Sequence, residues 1–365
     1  MELSQILQGI KVVELASVLA GPLAGSFLAE LGAEVVKIEN GPAGGDVTRN
    51  WKLPEESNEH GVGAYYHSAN YGKKVCLLDL KSEMDKSKLY DYCREADIIL
   101  SNYQKLTAEK LGVDLEKLRN INPKAILVQL NAFDYDDPRP GYDLVMQAES
   151  GFISMCGHES ELAKMPVAMI DILAAHQIKE AVLIGLMQRN RSGHASVFHV
   201  SLYKSALSAL VNQATNFLMA NHVAKPMGTL HPNIAPYGEI ITSADGVRLM
   251  LAVGSERQFE KLANVLGLSE DKRIKYETNH KRVVQRDQLQ RDLQYLTAQK
   301  LSESLVSELE KEQIPFAKVR DLEQVLTDTQ SLPMILPNNI AGRSDGKYIS
   351  NLAFSADFIQ ANGSH

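Results

Sequence analysis

The sequence is poor in cysteine, has few aromatic residues and lacks a long uninterrupted apolar run. Its three cysteines, Cys76, Cys93 and Cys156, form neither a paired framework nor a CxxC element, which is typical of a reducing compartment. The longest apolar stretches are interrupted by Lys, Glu or Gln, so none is expected to cross a bilayer. The N-terminus lacks the basic region and apolar core of a secretory signal. We therefore predict a soluble, cytoplasmic protein with no membrane partner.

Basic clusters and metal-ligand patterns are also missing. The chain has 38 Lys and Arg against 45 Asp and Glu, without a basic stripe interleaved with aromatic residues, so nucleic acid is not an expected partner. His158 and Glu159 do not extend into HExxH, and His194 and His199 straddle a turn and a strand, so no metal is expected. There is no GxSxG elbow. Nothing marks a base for Cys156 as a nucleophile, so a structural cysteine is favoured.

What the chain does contain is a series of β-rich apolar runs alternating with helical patterns. Several runs are nearly continuous in apolar residues, as strands are when crossover helices bury both faces. The pattern predicts an α/β fold with a mostly parallel, Rossmann-like sheet. The strand runs begin at Lys11, Glu34, Lys74, Asp97 and Ala125. The predicted helices cover residues 21–32, 83–95, 107–120, 142–154, 171–190 and 201–221.

A change in composition predicts a second, smaller α+β domain. Residues 222–236 hold three prolines and one glycine and fit no periodic pattern, which indicates a linker. Two strand-like runs then flank Asp245-Gly246, a type I′ hairpin signal. The stretch IPFAKVRDLEQVL is predicted to return to the large domain as a strand and a helix. Further helices are predicted near 256–266, 287–298 and 301–312. The expected domains are therefore 1–222 with 318–365 (large, discontinuous) and 223–317 (small).

The first strand–turn–helix–strand unit suggests a nucleotide site, since Glu39 ends the second strand where a ribose-binding acid would sit. However, Gly21, Gly25 and Gly32 do not follow GxGxxG, so NAD or FAD binding is disfavoured. The helix start near Gly21 can still offer backbone N–H groups to another ligand. A lysine cluster around the third strand is interpreted as solvated charge, with a phosphate site as the alternative. It comprises Lys73, Lys74 and Lys81.

Asp171 stands alone at the start of the longest helical pattern, followed by an apolar stripe at helical spacing. As a helix cap it would accept backbone N–H groups and contribute about 1 kcal/mol. A carboxylate held there is also expected to stay ionised, and thus to be available as a nucleophile. From the residues alone, capping is favoured and catalysis is the alternative.

An ordered series of motifs across nearly the whole chain resembles the family III CoA-transferases, the group of formyl-CoA transferase and the carnitine and bile-acid CoA-transferases. The series reads LQGIKVVELASVLAGPLAGSFLAELGAEVVKIE, GGDVTR, GKKVCLLDLK, ADIILSNY, EKLGV, RPGYDLVMQAESG, PVAMIDILA, RSGHASVFHVSLY and HPNIAPYG. The resemblance implies an enzyme that moves coenzyme A from an acyl-CoA to a free carboxylic acid without ATP or metal. It also implies an interlocked homodimer, with residues 222–236 as one crossing segment.

In that family the nucleophile lies in the stretch matching PVAMIDILA, so the resemblance implies that Asp171 is catalytic and reverses the preference for capping. The implied relay passes through a mixed anhydride, an aspartyl-CoA thioester and a second anhydride. Backbone N–H groups at the helix start would stabilise the oxyanions. The CoA-binding residues implied by motif position are Leu19, Ala20, Asn40, Leu78, Asp79, Leu80, Lys81, Asn102, Tyr103, Lys110, Tyr142 and Asp143.

Four departures from the family pattern bear on specificity. Asn40 stands where some members carry a CoA-contacting arginine, Lys110 stands where members often carry arginine, SNYQKL replaces ENFRPG, and the glycine-rich run of formyl-CoA transferase is absent. Formyl or oxalate transfer is therefore not implied. The alternative within the superfamily is α-methylacyl-CoA racemase, whose histidine matches Tyr142. Because a tyrosine with a pKa near 10 is a poor base at neutral pH, CoA transfer is favoured.

Overall fold

The computed structural model describes residues 2–57, 59–340, 343 and 345–358. Its strands are β1 (Lys11–Leu15), β2 (Glu34–Asn40), β3 (Lys74–Leu78), β4 (Ile98–Ser101), β5 (Ile126–Asn131), β6 (Gly157–His158), β7 (Glu161–Leu162), β8 (Val197–Ser201), β9 (Tyr237–Thr242), β10 (Arg248–Ala252), β11 (Phe316–Lys318), β12 (Ile335–Pro337) and β13 (Lys347–Ile349). Its α-helices are α1 (Ala20–Glu30), α2 (Ala64–His67), α3 (Glu83–Glu95), α4 (Lys105–Leu111), α5 (Leu115–Ile121), α6 (Asp143–Glu149), α7 (Phe152–Met155), α8 (Met169–Ser192), α9 (Leu202–Ser208), α10 (Val211–Ala220), α11 (Glu256–Leu266), α12 (Glu270–Lys275), α13 (Asn279–Val284), α14 (Arg286–Thr297), α15 (Ser302–Lys311) and α16 (Leu322–Leu326).

The main sheet has the order β3-β2-β1-β4-β5-β8, and all its pairings are parallel. This confirms the predicted mostly parallel α/β sheet, and β8 adds a strand outside the five predicted runs. Successive residues of β1 face opposite cores: Val12 packs in the cluster with α1 and α8, and Val13 in the cluster with α3 and α5. Strands β4 and β5 are buried along their whole length, which explains their continuous apolar sequence.

Two glycines of the first helix let α1 approach β1 closely. A Cβ at Gly25 would overlap the carboxylate of Glu14, and one at Gly21 would overlap the side chain of Ala16. Both glycines therefore serve helix–strand packing. Their spacing, which did not fit a dinucleotide fingerprint, is explained by this contact.

Three predicted helices are each broken in two. Gly112 adopts φ 70° between α4 and α5, Gly151 adopts φ 85° between α6 and α7, and Val211 adopts φ 41° where α10 begins. A left-handed residue interrupts the helical hydrogen-bond ladder, and glycine reaches this conformation without steric cost. The predictions of helical structure over 107–120, 142–154 and 201–221 are therefore confirmed, but the prediction that each region is one continuous helix is wrong.

The small unit comprises Ile153–Lys164 and Asn216–Asp328, and the large unit comprises the rest of the chain. The predicted return at residue 318 is too early, because β11 pairs with β10 in the small antiparallel sheet β11-β10-β9. The segment 153–164 was not expected in the small unit. It forms the β6–β7 hairpin, and the Gly228 N–H donates to the Gly157 carbonyl oxygen at 2.7 Å.

The turn between β9 and β10 is longer than predicted. Gly246 has φ 83°, but Asp245 has no positive φ, so the type I′ prediction, which needs both, is wrong. The loop closes instead through the Ser243 N–H, which donates to the Val247 carbonyl oxygen at 3.0 Å. The Asp245 carboxylate is occupied elsewhere, since it accepts bonds from the N–H (2.8 Å) and hydroxyl (2.6 Å) of Ser302.

Within the described ranges, no helix combines the length and apolarity needed to span a membrane. The same part of the chain contains no group of three or more His, Cys, Asp or Glu residues placed to hold a metal ion. The cytoplasmic location stays a prediction.

Candidate active site

Two neighbouring cavities open at the carboxyl edge of the main sheet. The larger, about 350 Å³, is lined by residues that include Asn40, Asp46 and Tyr103. The smaller, about 220 Å³, is lined by residues that include Val18 and Tyr142. Both cavities share the residues Ser17, Asn102 and Gln104. Open parallel sheets bind ligands outside the carboxyl ends of their strands, so this edge is the candidate site.

A cavity of about 630 Å³ lies at the opposite edge, where β1, β2 and β3 begin. Its lining includes Lys11, Glu34, Lys74 and Glu95, and none of the predicted site residues. Size alone does not favour this cavity, because the amino ends of parallel strands are not where such sheets place their ligands.

The turn from β1 to α1 forms the wall between the two edge cavities. Asn102 holds Ser17 on both sides, accepting from its N–H at 3.2 Å and donating to its carbonyl oxygen at 2.9 Å. Val18 follows with φ 72°, and its N–H donates to Asp46 at 3.2 Å. Leu19 is the N-cap residue of α1 and Ala20 its first residue, so both lie directly behind this wall.

Asp46 belongs to a fully buried network of charges. The Lys37 Nζ lies 3.0 Å from Asp46 and 3.0 Å from Glu14, and the Lys73 Nζ lies 2.8 Å from Glu14. Burial lowers the pKa of Lys73 to about 7, although Glu14 partly offsets this effect. Lys73 is therefore neither a solvated charge nor a phosphate ligand, and both predictions for it are wrong. Glu39 likewise makes an ion pair with Arg49 at 2.6 Å, so it is committed to protein contacts.

Asp171 lies in the first turn of α8 and is buried, with 8% of its surface exposed. The cap of this helix is Asp143, whose Oδ1 accepts the N–H of Ile170 at 2.7 Å and that of Asp171 at 3.4 Å. The other Asp143 oxygen accepts from the Gln147 amide at 2.6 Å, and the Gln147 carbonyl oxygen accepts the N–H of Met165 at 2.9 Å. Asp143 therefore performs the capping role proposed for Asp171. Within the described residues, no hydrogen bond holds the Asp171 carboxylate.

This arrangement changes the ionisation of Asp171. Burial, and secondarily the neighbouring Asp143, raises the pKa of Asp171 to about 7. The expectation that the helix start keeps this carboxylate ionised is therefore wrong, because Asp143 takes the N–H groups that would have stabilised the charge. A third polar group, Tyr65, lies near both carboxylates: burial raises its pKa, and the charges of Asp171 and Asp143 raise it further.

Several predicted CoA-binding residues gather at this edge. Asn40 and Tyr103 line the larger cavity, Tyr142 lines the smaller one with 62% exposure, and Leu78 pairs in register with Asn40. Other predicted residues are not in either lining: Leu19, Ala20, Leu78, Asp79, Leu80, Lys81, Lys110 and Asp143. Residues 79–81 form a tight turn, in which the Lys81 N–H donates to Asp79 at 3.0 Å. Their contact with CoA stays a prediction.

Asn131, the last residue of β5, was not among the predicted site residues. Its side chain lines the smaller cavity and is buried, and its Oδ1 has no hydrogen-bond partner within the described ranges. Arg139, in the same lining, was also missed; it is paired with Asp137 at 2.7 Å. A polar residue at the end of a buried strand was the available signal for Asn131.

Known proteins resemble this chain over most of its length. The family model described as CoA-transferase family III matches residues 7–358. A succinate–glutarate CoA-transferase from Agrobacterium fabrum is 35% identical over 334 residues, which are 89% of this chain and 82% of that protein. A succinyl-CoA:glutarate CoA-transferase from Homo sapiens is 30% identical over 331 residues (89% and 74%). The crystal structure of a CAIB/BAIF family protein from Brucella suis superposes with TM-score 0.80 at 32% identity, covering 96% of this chain and 92% of that one.

Proposed function

We infer the reaction from one premise: the chain belongs to CoA-transferase family III and is an enzyme that transfers coenzyme A. We propose that it does so through covalent intermediates on Asp171. The observation that carries this proposal is a buried carboxylate that neither caps its helix nor accepts a hydrogen bond from the described residues. A nucleophile needs such a free oxygen. Asp171 is in neither cavity lining, but its neighbour Asp143 directly follows Tyr142 of the smaller cavity.

In the proposed relay, the Asp171 carboxylate attacks the thioester carbonyl of the donor, the C–S bond breaks, and CoA thiolate leaves. The thiolate then attacks the aspartyl carbonyl and releases the donor acid, which gives an aspartyl-CoA thioester. The acceptor carboxylate attacks this thioester, the C–S bond breaks, CoA thiolate leaves again, and a second mixed anhydride forms between Asp171 and the acceptor. The thiolate then attacks the acceptor carbonyl of this anhydride, which releases the acceptor CoA ester and restores the Asp171 carboxylate. Each step exchanges one activated acyl bond for another, so the relay needs no ATP.

The oxyanions of these steps need hydrogen-bond donors other than those first predicted. Asp143 accepts the N–H groups of Ile170 and Asp171, so the start of α8 is occupied. The start of α1, directly behind the cavity wall, is another candidate, because Ala20 and Gly21 carry backbone N–H groups there.

We propose that the donor and acceptor are short dicarboxylic acids and their CoA esters. The two relatives described above are named for succinate and glutarate. The smaller cavity, about 220 Å³, has room for an acid of this size and includes Arg139, a cation that can pair with a second carboxylate. Turnover with succinate, glutarate and mesaconate is expected to exceed turnover with acetate, each measured against the CoA esters by mass spectrometry.

The covalent relay is tested by trapping the aspartyl-CoA thioester. Succinyl-CoA labelled in its CoA part should leave an adduct on the peptide that holds Asp171, and hydroxylamine should remove it. Labelling of Cys156 instead would contradict the relay. Incorporation of solvent deuterium at the α-carbon of a branched acyl-CoA, without exchange of the CoA part, would select the racemase, which the names of the relatives do not favour.

We also propose a homodimer in which the two chains interlock. Helix α10 has no buried residue and exposes Phe217 (51%), Leu218 (75%) and Met219 (86%), and α8 exposes Ile184 (56%) and Met187 (60%). Exposed apolar side chains in this number are typical of surfaces that another chain covers. Sedimentation equilibrium should give twice the chain mass of 40.3 kDa. A stable monomer at micromolar concentration would exclude the interlocked dimer.

A further inference from the structure

The turn between β1 and α1 contains a strained residue. Val18 has φ 72°, a conformation that β-branched side chains rarely adopt. Strain of this kind persists only where the surrounding contacts enforce it. The contact that does so here is the hydrogen bond from the Val18 N–H to Asp46 Oδ2, at 3.2 Å.

Asp46 is itself fixed by its surroundings. Its Oδ1 accepts the N–H (3.0 Å) and hydroxyl (2.8 Å) of Thr48, and its Oδ2 lies 3.0 Å from the Lys37 Nζ. The Lys37 Nζ also donates to the carbonyl oxygen of Ala16 at 2.8 Å. One buried ion pair therefore holds both ends of the three-residue segment Ala16–Val18: Lys37 holds its first carbonyl, and Asp46 holds its last N–H.

The held segment is the wall shared by the two edge cavities. Ala16 and Ser17 line the larger cavity, together with Asp46, and Ser17 and Val18 line the smaller one. A rotation of the Val18 backbone would move this wall into one cavity or the other. A ligand long enough to reach into both, such as an acyl-CoA, would depend on where the wall stands.

We propose that Asp46, with Lys37, is a positioning residue that holds the strained Ala16–Val18 wall so that one elongated thioester can occupy both cavities. This inference rests on the proposed function. It assigns to the aspartate of GGDVTR an indirect role, since Asp46 acts through the Val18 N–H.

A double-mutant cycle between Asp46 and Val18 tests the proposal. Glycine adopts φ near 72° without strain, so a Val18→Gly backbone needs less support from Asp46. The dissociation constant of coenzyme A, measured by calorimetry, should rise about tenfold on Asp46→Ala in the wild-type background and less than about threefold in the Val18→Gly background. Because the effect of Asp46→Ala is compared between the two backgrounds, the direct effect of Val18→Gly on coenzyme A affinity cancels.

Melting temperatures separate a positioning role of Asp46 from a general loss of protein stability. Asp292→Ala removes a buried carboxylate of the small unit that pairs with Lys272 at 2.9 Å, so it should lower the melting temperature without changing coenzyme A affinity. If Asp46→Ala does not fold, Asp46→Ser takes its place, because a serine hydroxyl can still cap the Thr48 N–H but supplies no second oxygen for the Val18 N–H or for Lys37. An equal loss of affinity in both backgrounds, or none, overturns the inference. Wild-type protein that fails to bind coenzyme A overturns the proposed function itself.

Discussion

Asp171→Asn should abolish CoA transfer and, above pH 7, raise the melting temperature of the protein. The amide cannot attack a thioester, so turnover should fall by at least about 10⁴-fold. The same change removes a carboxylate that is buried without hydrogen bonds within the described residues. The proposed catalytic role and the stability cost thus belong to the same side chain, so one substitution tests both.

The sign of the stability effect follows from the pKa of Asp171, which is about 7 in the folded protein against 3.8 for an ordinary aspartate. Below pH 3.8 the group is protonated in both states and costs nothing. Between the two values only the unfolded state ionises, so the folded state loses relative stability as the pH rises. Above pH 7 the cost is constant, on the order of 4 kcal/mol. The gain from Asp171→Asn should therefore grow between about pH 4 and pH 7.

Asp114→Ala is a matched control, because Asp114 does cap a helix. Its side chain accepts the N–H of Lys117 at 2.9 Å at the start of α5. Its loss should lower stability by about 1 kcal/mol across the neutral range and leave turnover intact. Melting curves at pH 5 and pH 8 for the three proteins give the comparison. If Asp171→Asn kept its turnover and showed no gain in melting temperature between pH 5 and pH 8, the proposed role of Asp171 would be wrong.

The parallel sheet could be predicted because its signal is local. Strands β4 and β5 are buried on both faces and therefore consist almost wholly of apolar residues. The helix breaks were harder to locate. Gly112 offered a visible signal, but at Val211 the left-handed turn runs against the preference of the residue.

The environment of Asp171 could not be predicted, because it depends on residues far apart in the chain. The sequence indicates an acid at a helix start, and nothing local shows that Asp143, 28 residues earlier, caps that helix instead. Lys73 is a similar case, since its burial depends on Glu14. Contacts of this kind decide ionisation, which is why the position of Asp171 in the first turn of α8 could be predicted but its raised pKa could not.

Moving one negative charge from residue 143 to residue 147 should shift the pH dependence of the reaction to lower pH. The nucleophile must be ionised, so kcat/KM for the first half-reaction is expected to rise through about pH 7 in the wild type. Burial contributes most to this raised pKa of Asp171, and Asp143 adds to it. Removing the neighbouring charge should therefore lower the pKa towards the value that burial alone sets.

Asp143→Asn alone is not a clean test. The introduced carbonyl can still accept the Ile170 N–H, but the introduced amide faces the Gln147 amide, which now donates at 2.6 Å. Gln147 cannot turn over, because its oxygen accepts the Met165 N–H. Two donors would then face each other in a buried site, at a cost of about 1–3 kcal/mol. Lost activity in this variant would not separate the effect of charge from the effect of packing.

Asp143→Asn combined with Gln147→Glu restores every hydrogen bond. The introduced amide donates to the introduced carboxylate, whose second oxygen accepts the Met165 N–H. The charge then lies one helical turn farther along α6, next to Met165 and away from the N–H groups at the start of α8. The double variant should fold like the wild type, with the midpoint of its pH–rate profile on the acid side of the wild-type midpoint.

Gln147→Glu alone is the control for the substitution at residue 147, because it places a second carboxylate against Asp143. Two buried carboxylates this close share one proton, so the pair keeps a single negative charge and the midpoint should stay near that of the wild type. A shift to lower pH in the double variant alone is expected only if the carboxylate charge of Asp143 adjusts the ionisation of Asp171. An unchanged profile in the double variant would show that burial alone does so and that Asp143 serves the helix only as its cap.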